Sequence, residues 1–198
     1  MLNQSNIAIV GGVPGVGKTT VINNALEYAK RENFDVSIFV YGTIMMEIAK
    51  EDYNVNHRDE LRNLSSEMQK EIQRRAAMRI AELAKNKVVI VDTHYTIKTG
   101  TGTFLQGIPS WVSNEFQAKL LVIIETNPQE IIGRRSSDNT RIRDEETADI
   151  LFEHQLINKT VASTICQQSG ALLAIIKNKE GQAEKAGKEL FEHLKNLK

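Results

Sequence analysis

Residues Gly12-Val13-Pro14-Gly15-Val16-Gly17-Lys18-Thr19 fit the spacing G-x-x-x-x-G-K-[ST], and their neighbours restrict what the chain can fold into. The apolar run Ile7-Ala8-Ile9-Val10 before them reads as a buried strand, and Val21 to Leu26 after them opens a helix. A strand, this loop and a helix in that order make a cradle for a polyphosphate. The glycines let the backbone adopt dihedrals that a side chain forbids and approach phosphate oxygens closely. The loop N–H groups and the positive end of the following helix then face the anion. Lys18 places a cation on the outer phosphates, and the Thr19 hydroxyl suits Mg²⁺. A Gly-rich turn that merely joins strand to helix is the alternative. The full pattern in its full setting argues against it.

The remaining sequence alternates strands and helices. Strands are expected at Asn6–Val10, Val36–Val40, Val88–Val91, Leu120–Ile124 and Ala171–Ile176. Helices are expected at Lys18–Arg31, Thr43–Lys50, Ser65–Lys85, from near Pro128, at Asp144–Gln168 and at Gly181–Leu197. Ser65 is the N-cap of the long third helix, ahead of the apolar series Met68, Ile72, Ala76 and Ile80. Five short apolar strands between helices imply an α/β fold: a parallel sheet covered by helices on both faces, in three layers. At 198 residues the chain reads as one domain. His94–Ser110 and Ser136–Arg143 fit poorly as regular structure. Long loops at the carboxyl edge of such a sheet are where ligands bind.

Charge and cysteine content exclude some classes. Lys and Arg number 25, as do Asp and Glu, so nothing points to bulk nucleic-acid or acidic-lipid binding. The one cysteine, Cys166, reads as a small buried residue, and no Cys/His cluster offers a zinc site. With no signal peptide and no apolar run of membrane-spanning length, the expectation is a soluble, cytoplasmic chain.

Several further residues suit phosphate chemistry. Asp92 ends an apolar strand, where an acid holds Mg²⁺ beside a phosphate cradle, directly or through water; the alternative is a carboxylate that caps the next turn. His94 has two open readings, substrate orientation or local hydrogen bonding. Lys98 has two as well, a phosphate contact or a solvated lysine. Arg58 and Arg62 lie four apart, able to share a helix face that binds a phosphate monoester or to form solvated ion pairs. Arg74, Arg75 and Arg79 read as a solvent face, and Trp111 as an anchor to the core. Arg134, Arg135, Arg141 and Arg143 form the densest positive cluster. Phosphoryl transfer spreads negative charge over the moving group, and arginines on a loop can stabilise it. That reading is favoured for at least Arg141, against an exposed basic loop paired with Asp138, Asp144 and Glu145.

Taken in order, the phosphate loop through Thr20, Tyr41-Gly42-Thr43, Arg58–Arg62, Val91-Asp92-Thr93-His94, Ile97-Lys98-Thr99, Gly107–Val112 and Thr140–Asp144 resemble the archaeal-type adenylate kinases. The resemblance runs essentially end to end. Asp92-Thr93-His94 and Gly107–Val112 are its most specific segments. It implies a P-loop nucleoside monophosphate kinase that converts MgATP and AMP to two ADP. It implies a monophosphate-binding part near residues 42–86 and a short lid near 134–146. It sets Gly12, Val13, Pro14, Gly15, Val16, Gly17, Lys18, Thr19 and Thr20 on the ATP phosphates. Thr19 and Asp92 would serve Mg²⁺. Thr43, Arg58, Arg62, Thr93, His94 and Lys98 would face AMP. Lys18 and, from the lid side, Arg134, Arg141 and Arg143 would be catalytic. It also implies a homotrimer.

The chain departs from the widespread bacterial adenylate kinases. Ile44 and Met45 follow Tyr41-Gly42-Thr43 where those enzymes carry an arginine, a role that Arg58 or Arg62 would fill here. Asp92–Lys98 replaces their Asp-Gly-Phe-Pro-Arg segment, so Lys98 takes over a phosphate contact. Two alternatives stay open: a related kinase using another monophosphate or GTP, and an NTP-dependent switch or assembly factor.

Overall fold

The five apolar runs form one parallel sheet in the computed structural model, which describes residues 6–85, 87–100, 102–137 and 146–197; the side chains of Arg58, Asp59 and Arg62 are not among those described. The strands are β1 (Ile7–Gly11), β2 (Val36–Val40), β3 (Val88–Asp92), β6 (Leu120–Glu125) and β7 (Leu172–Lys177). Their order is β2-β3-β1-β6-β7, so β1, which feeds the phosphate loop, is central. Register pairs Val10 with Asp92 on one side and with Val122 on the other. The end of β1 and the acid that ends β3 are therefore neighbours at one sheet edge.

Alternation along the strands divides the core. Ile7, Ile9, Val89, Val91, Leu121 and Ile123 face one side. There they meet α2 (Tyr41–Tyr53), α4 (Ser66–Leu83), α5 (Ser110–Phe116) and α7 (Ala148–Ser169). Ala8, Val10, Ile90, Val122, Ile124 and Ile176 face the other side, against α1 (Lys18–Arg31), α6 (Pro128–Ser136) and α8 (Ala183–Lys195). Period-two burial on both faces is what a sheet covered twice requires. Helix α3 (Arg58–Asn63) is a single short segment between α2 and α4.

Side-chain caps set several helix starts. Ser65 accepts the Met68 N–H at 3.2 Å, as expected. Asn127 accepts from Gln129 at 2.9 Å, with Pro128 in the first turn of α6. The helix expected from Asp144 begins instead at Ala148, because the Thr147 hydroxyl caps the Ile150 N–H. It ends at Gly170, whose φ of +75° breaks the helix.

The segment expected to be irregular, His94–Ser110, holds a hairpin of β4 (Thr96–Lys98) and β5 (Phe104–Gln106). Buried Asn158 of α7 anchors it, accepting from the Thr96 N–H at 3.0 Å and the Thr96 hydroxyl at 2.7 Å. Arg74, Arg75 and Arg79 pair in solvent with Glu115, Asp52 and Glu51. Trp111 anchors α5 to α4, its indole donating to Gln73 at 3.0 Å. Cys166 is only half-buried, packed against the core rather than enclosed by it.

Candidate active site

The phosphate loop is held by its carbonyls. Pro14 O accepts two hydrogen bonds from the Arg135 guanidinium, at 2.9 and 2.7 Å. Val16 O accepts from Arg134 at 3.0 Å and from the buried Asn178 amide at 2.7 Å. Gly12 O lies 3.2 Å from His94 Nδ1. In a trans peptide unit the N–H points away from the C=O of the same plane. Fixing the Gly12, Pro14 and Val16 carbonyls therefore turns each following N–H, of Val13, Gly15 and Gly17, away from the group that holds the carbonyl. Backbone N–H groups of such a loop are what a phosphate needs.

Two glycines show why no other residue fits the loop. A Cβ on Gly12 would lie 2.4 Å from Ile124 O, because the loop runs hard against β6. Gly17 precedes α1 with φ +83°, and its Cβ would meet the Asn178 amide at 2.4 Å.

Lys18, the first residue of α1, forms an ion pair with Asp92 at the end of β3. Both side chains are nearly buried. Burial draws the Lys18 ammonium down to about 8. Lys18 therefore remains a cation at neutral pH. Thr19 and Thr20 are exposed on the first turn of α1. Thr93 is buried beside Asp92, its N–H donating to Val10 O at 3.1 Å.

The other residues singled out from sequence are spread around this centre. Thr43 is exposed on the first turn of α2. Arg58 and Arg62 share α3, four apart on one short helix. Lys98, at the end of β4, pairs with Glu146 at 3.0 Å. Arg134 donates to Val16 O and Asn178 O and pairs with Glu130 and Glu180, so it braces the loop from α6. Arg141 and Arg143 lie outside the described residues.

Sequence reading placed Arg135 in the basic cluster without giving it a contact, and gave no role to Asn178, Glu146 or Tyr95. Arg135 and Asn178 clamp loop carbonyls, and Glu146 bridges Lys98 and Arg135. The fully buried Tyr95 hydroxyl lies 3.2 Å from Ile9 O and 3.1 Å from Val122 O; its ring occupies the space a Cβ on Gly11 would need. Asn178 carried one signal, a polar residue just past the carboxyl end of an apolar strand.

Among the described residues, no group of three or more His, Cys, Asp or Glu could hold a metal ion, and no helix is long and apolar enough to cross a membrane. The Thr19 hydroxyl and the Asp92 carboxylate are hard oxygen donors beside the loop. They suit a cation that keeps most of its own water and is shared with phosphates.

Comparison with known proteins gives three findings. The family described as AAA domain matches residues 11–151. Adenylate kinase from Methanocaldococcus jannaschii is 45% identical over 97% of this chain and 100% of its own. Those from Methanopyrus kandleri and Methanococcus aeolicus are 44% and 42% identical over 96% and 97% of this chain, covering 98% and 99% of theirs. Among solved structures, a shikimate kinase from Acinetobacter baumannii superposes with a TM-score of 0.56. It covers 98% of this chain and 94% of its own at 14% identity, a likeness of fold.

Proposed function

Because the chain belongs to the adenylate kinase family, an enzyme family of nucleoside monophosphate kinases, we propose that this site carries the γ-phosphoryl group from MgATP to AMP, releasing two ADP. The observation that carries this reading is the fixing of three loop carbonyls, by His94, Arg134 and Arg135, beside the Lys18–Asp92 pair. Amides fixed in advance need no reorganisation when a polyphosphate arrives, and that is the main source of catalysis where the protein supplies no nucleophile.

Lys18 turns from Asp92 to the β- and γ-phosphates as nucleotide enters. Thr19 and Asp92 are the residues that would hold Mg²⁺, which when bound neutralises charge on the phosphate oxygens. The loop from Gly12 to Thr20 carries ATP. Thr43, Arg58, Arg62, Thr93, His94 and Lys98 form the AMP side, with residues 42–86 as the monophosphate-binding part. Arg134 fixes the loop, while Arg141 and Arg143 reach the transferring group from a lid spanning 134–146. Closure excludes water, so transfer to AMP outruns hydrolysis.

We also place the enzyme in the cytoplasm, where ATP and AMP are found, as a homotrimer. Exposed Leu173 and Ile175 on edge strand β7, with Phe152 and Leu156 on α7, support assembly of copies through that apolar side. No nucleic acid or membrane partner is invoked.

The test is ADP formation by the purified chain from MgATP with AMP, GMP, CMP, UMP or dTMP in turn. Rapid turnover with AMP alone is expected. Preference for another monophosphate would reassign the substrate, and slow hydrolysis indifferent to all five would replace the kinase with an NTP-dependent switch.

A further inference from the structure

Glu146 stands just before α7, between cations from two different elements. One carboxylate oxygen accepts from Lys98 Nζ at 3.0 Å and the other from Arg135 at 2.7 Å. The carboxylate is only 13% exposed. Arg135 also grips Pro14 O of the phosphate loop with its remaining nitrogens. A continuous line of contacts thus runs from the β4–β5 hairpin through Glu146 to the loop that holds the ATP phosphates.

Two cations converging on a pair of oxygens beside a phosphate cradle is how proteins bind a phosphoryl group. Here a carboxylate of the chain itself fills that place. The two cations are not held equally. Arg135 is 12% exposed and fixed to Pro14 by two hydrogen bonds, whereas Lys98 is 25% exposed at the end of a short strand. A lysine ammonium is a point charge on a flexible stem, so it can turn from one anion to another. A phosphate monoester carries up to two negative charges against the carboxylate's one, and so outcompetes it for the ammonium.

We propose that Glu146 is a positioning residue that stands in for substrate phosphate: it occupies Lys98 and Arg135 in the nucleotide-free chain, and AMP takes Lys98 from it. Its charge state fits this. Burial pushes the Glu146 carboxyl up, but hydrogen bonds from Arg135 and Lys98 outweigh it and hold the group below the usual carboxylate range. At neutral pH it is an anion that the incoming phosphate must displace. The inference rests on the adenylate kinase reading, with Lys98 on the AMP side.

The test is steady-state kinetics of Glu146→Gln, Lys98→Met and the double variant, varying AMP at saturating MgATP and the reverse. Glu146→Gln should lower the AMP KM by about three- to tenfold, leave the MgATP KM within about twofold and not raise kcat. Lys98→Met should raise the AMP KM, and in that background Glu146→Gln should have no further effect. A merely structural glutamate would give a loss of kcat or of thermal midpoint with no gain in AMP binding. Glu146→Asp keeps the charge but shortens its reach, and should lower the AMP KM by less. AMP titrated calorimetrically into each variant reads the same change without turnover. An unchanged or raised AMP KM in both Glu146 variants overturns the proposal, as does a fall that persists in the Lys98→Met background. If the wild-type chain does not convert MgATP and AMP to ADP, the underlying reading fails; if it does and Glu146 is silent, only this inference fails.

Discussion

Under the proposed mechanism, Lys18 and Asp92 are one pair of side chains that would set both stability and turnover. Each is nearly buried, and each neutralises the other in the nucleotide-free chain. Lys18→Ala leaves Asp92 without its cation, at a cost of about 1–3 kcal/mol in stability, read from the urea midpoint. It also removes a preorganised charge from the phosphates, which should lower kcat by on the order of 10²–10³. The chain should still fold, because Gly12, Gly15 and Gly17 set the loop's shape. A variant with near-wild-type kcat would exclude Lys18 from the reaction. Arg141 is argued differently. A guanidinium offers two parallel hydrogen bonds to phosphoryl oxygens, an ammonium one point charge. Arg141→Lys should therefore lose much of kcat and Arg141→Ala more, each with a smaller change in ATP affinity. If Arg141→Ala and Arg143→Ala both keep wild-type kcat at saturating MgATP and AMP, the cluster is only a solvated basic loop. Lys18 was legible in the sequence because the loop's chemistry is contiguous. The loop contacts of Arg135 and Asn178 were not, because they meet Pro14 and Val16 across 121 and 162 residues of chain.

The elements best read from sequence were those whose own pattern decides them. β1, β3 and β6 are continuous apolar runs, and Ser65 announces α4. The β4–β5 hairpin was missed because its strands are three residues each, set among Gly and Thr. What stabilises it lies on another element, the face of α7 that carries His154 and Asn158. His154 is buried, its Nε2 3.1 Å from the Thr96 hydroxyl, its ring edge-on to Phe104, and its Nδ1 without a partner among the described residues. Burial lowers its pKa below the ordinary 6.5; nearby Arg135 and Lys98 add to this, while the Thr96 hydrogen bond and Glu146 oppose it. The sign follows. Between the folded value and 6.5 the unfolded chain holds a proton that the folded chain does not, so stability falls as pH drops through that window and is flat above it. Urea midpoints at pH 7.5 and 5.5 should show this fall, and His154→Gln should reduce it. An equal fall in the variant would put the pH dependence elsewhere.

At the scale of the whole molecule, the fold class and the carboxyl-edge location of the site were legible, because alternating strands and helices leave few topologies. The apolar side of β7 and α7 was not, since a continuous apolar strand reads as buried whether or not anything covers it. Ile175 is 41% exposed and Phe152 60%. If this side joins three copies, sedimentation should give a trimer, and Leu173→Lys with Ile175→Lys should give a folded monomer. A monomeric wild-type chain would refute the assembly. At the carboxyl end of the sheet, the proposed function requires two nucleotides bound with their phosphates meeting at one reacting centre. The most direct measurement is calorimetric titration with a single molecule that joins two adenosines through five phosphates. One such molecule should bind per chain, far more tightly than ATP or AMP alone, because linking the two removes one cost of association. Affinity no better than that of ATP would contradict two convergent sites and leave a chain that holds one nucleotide.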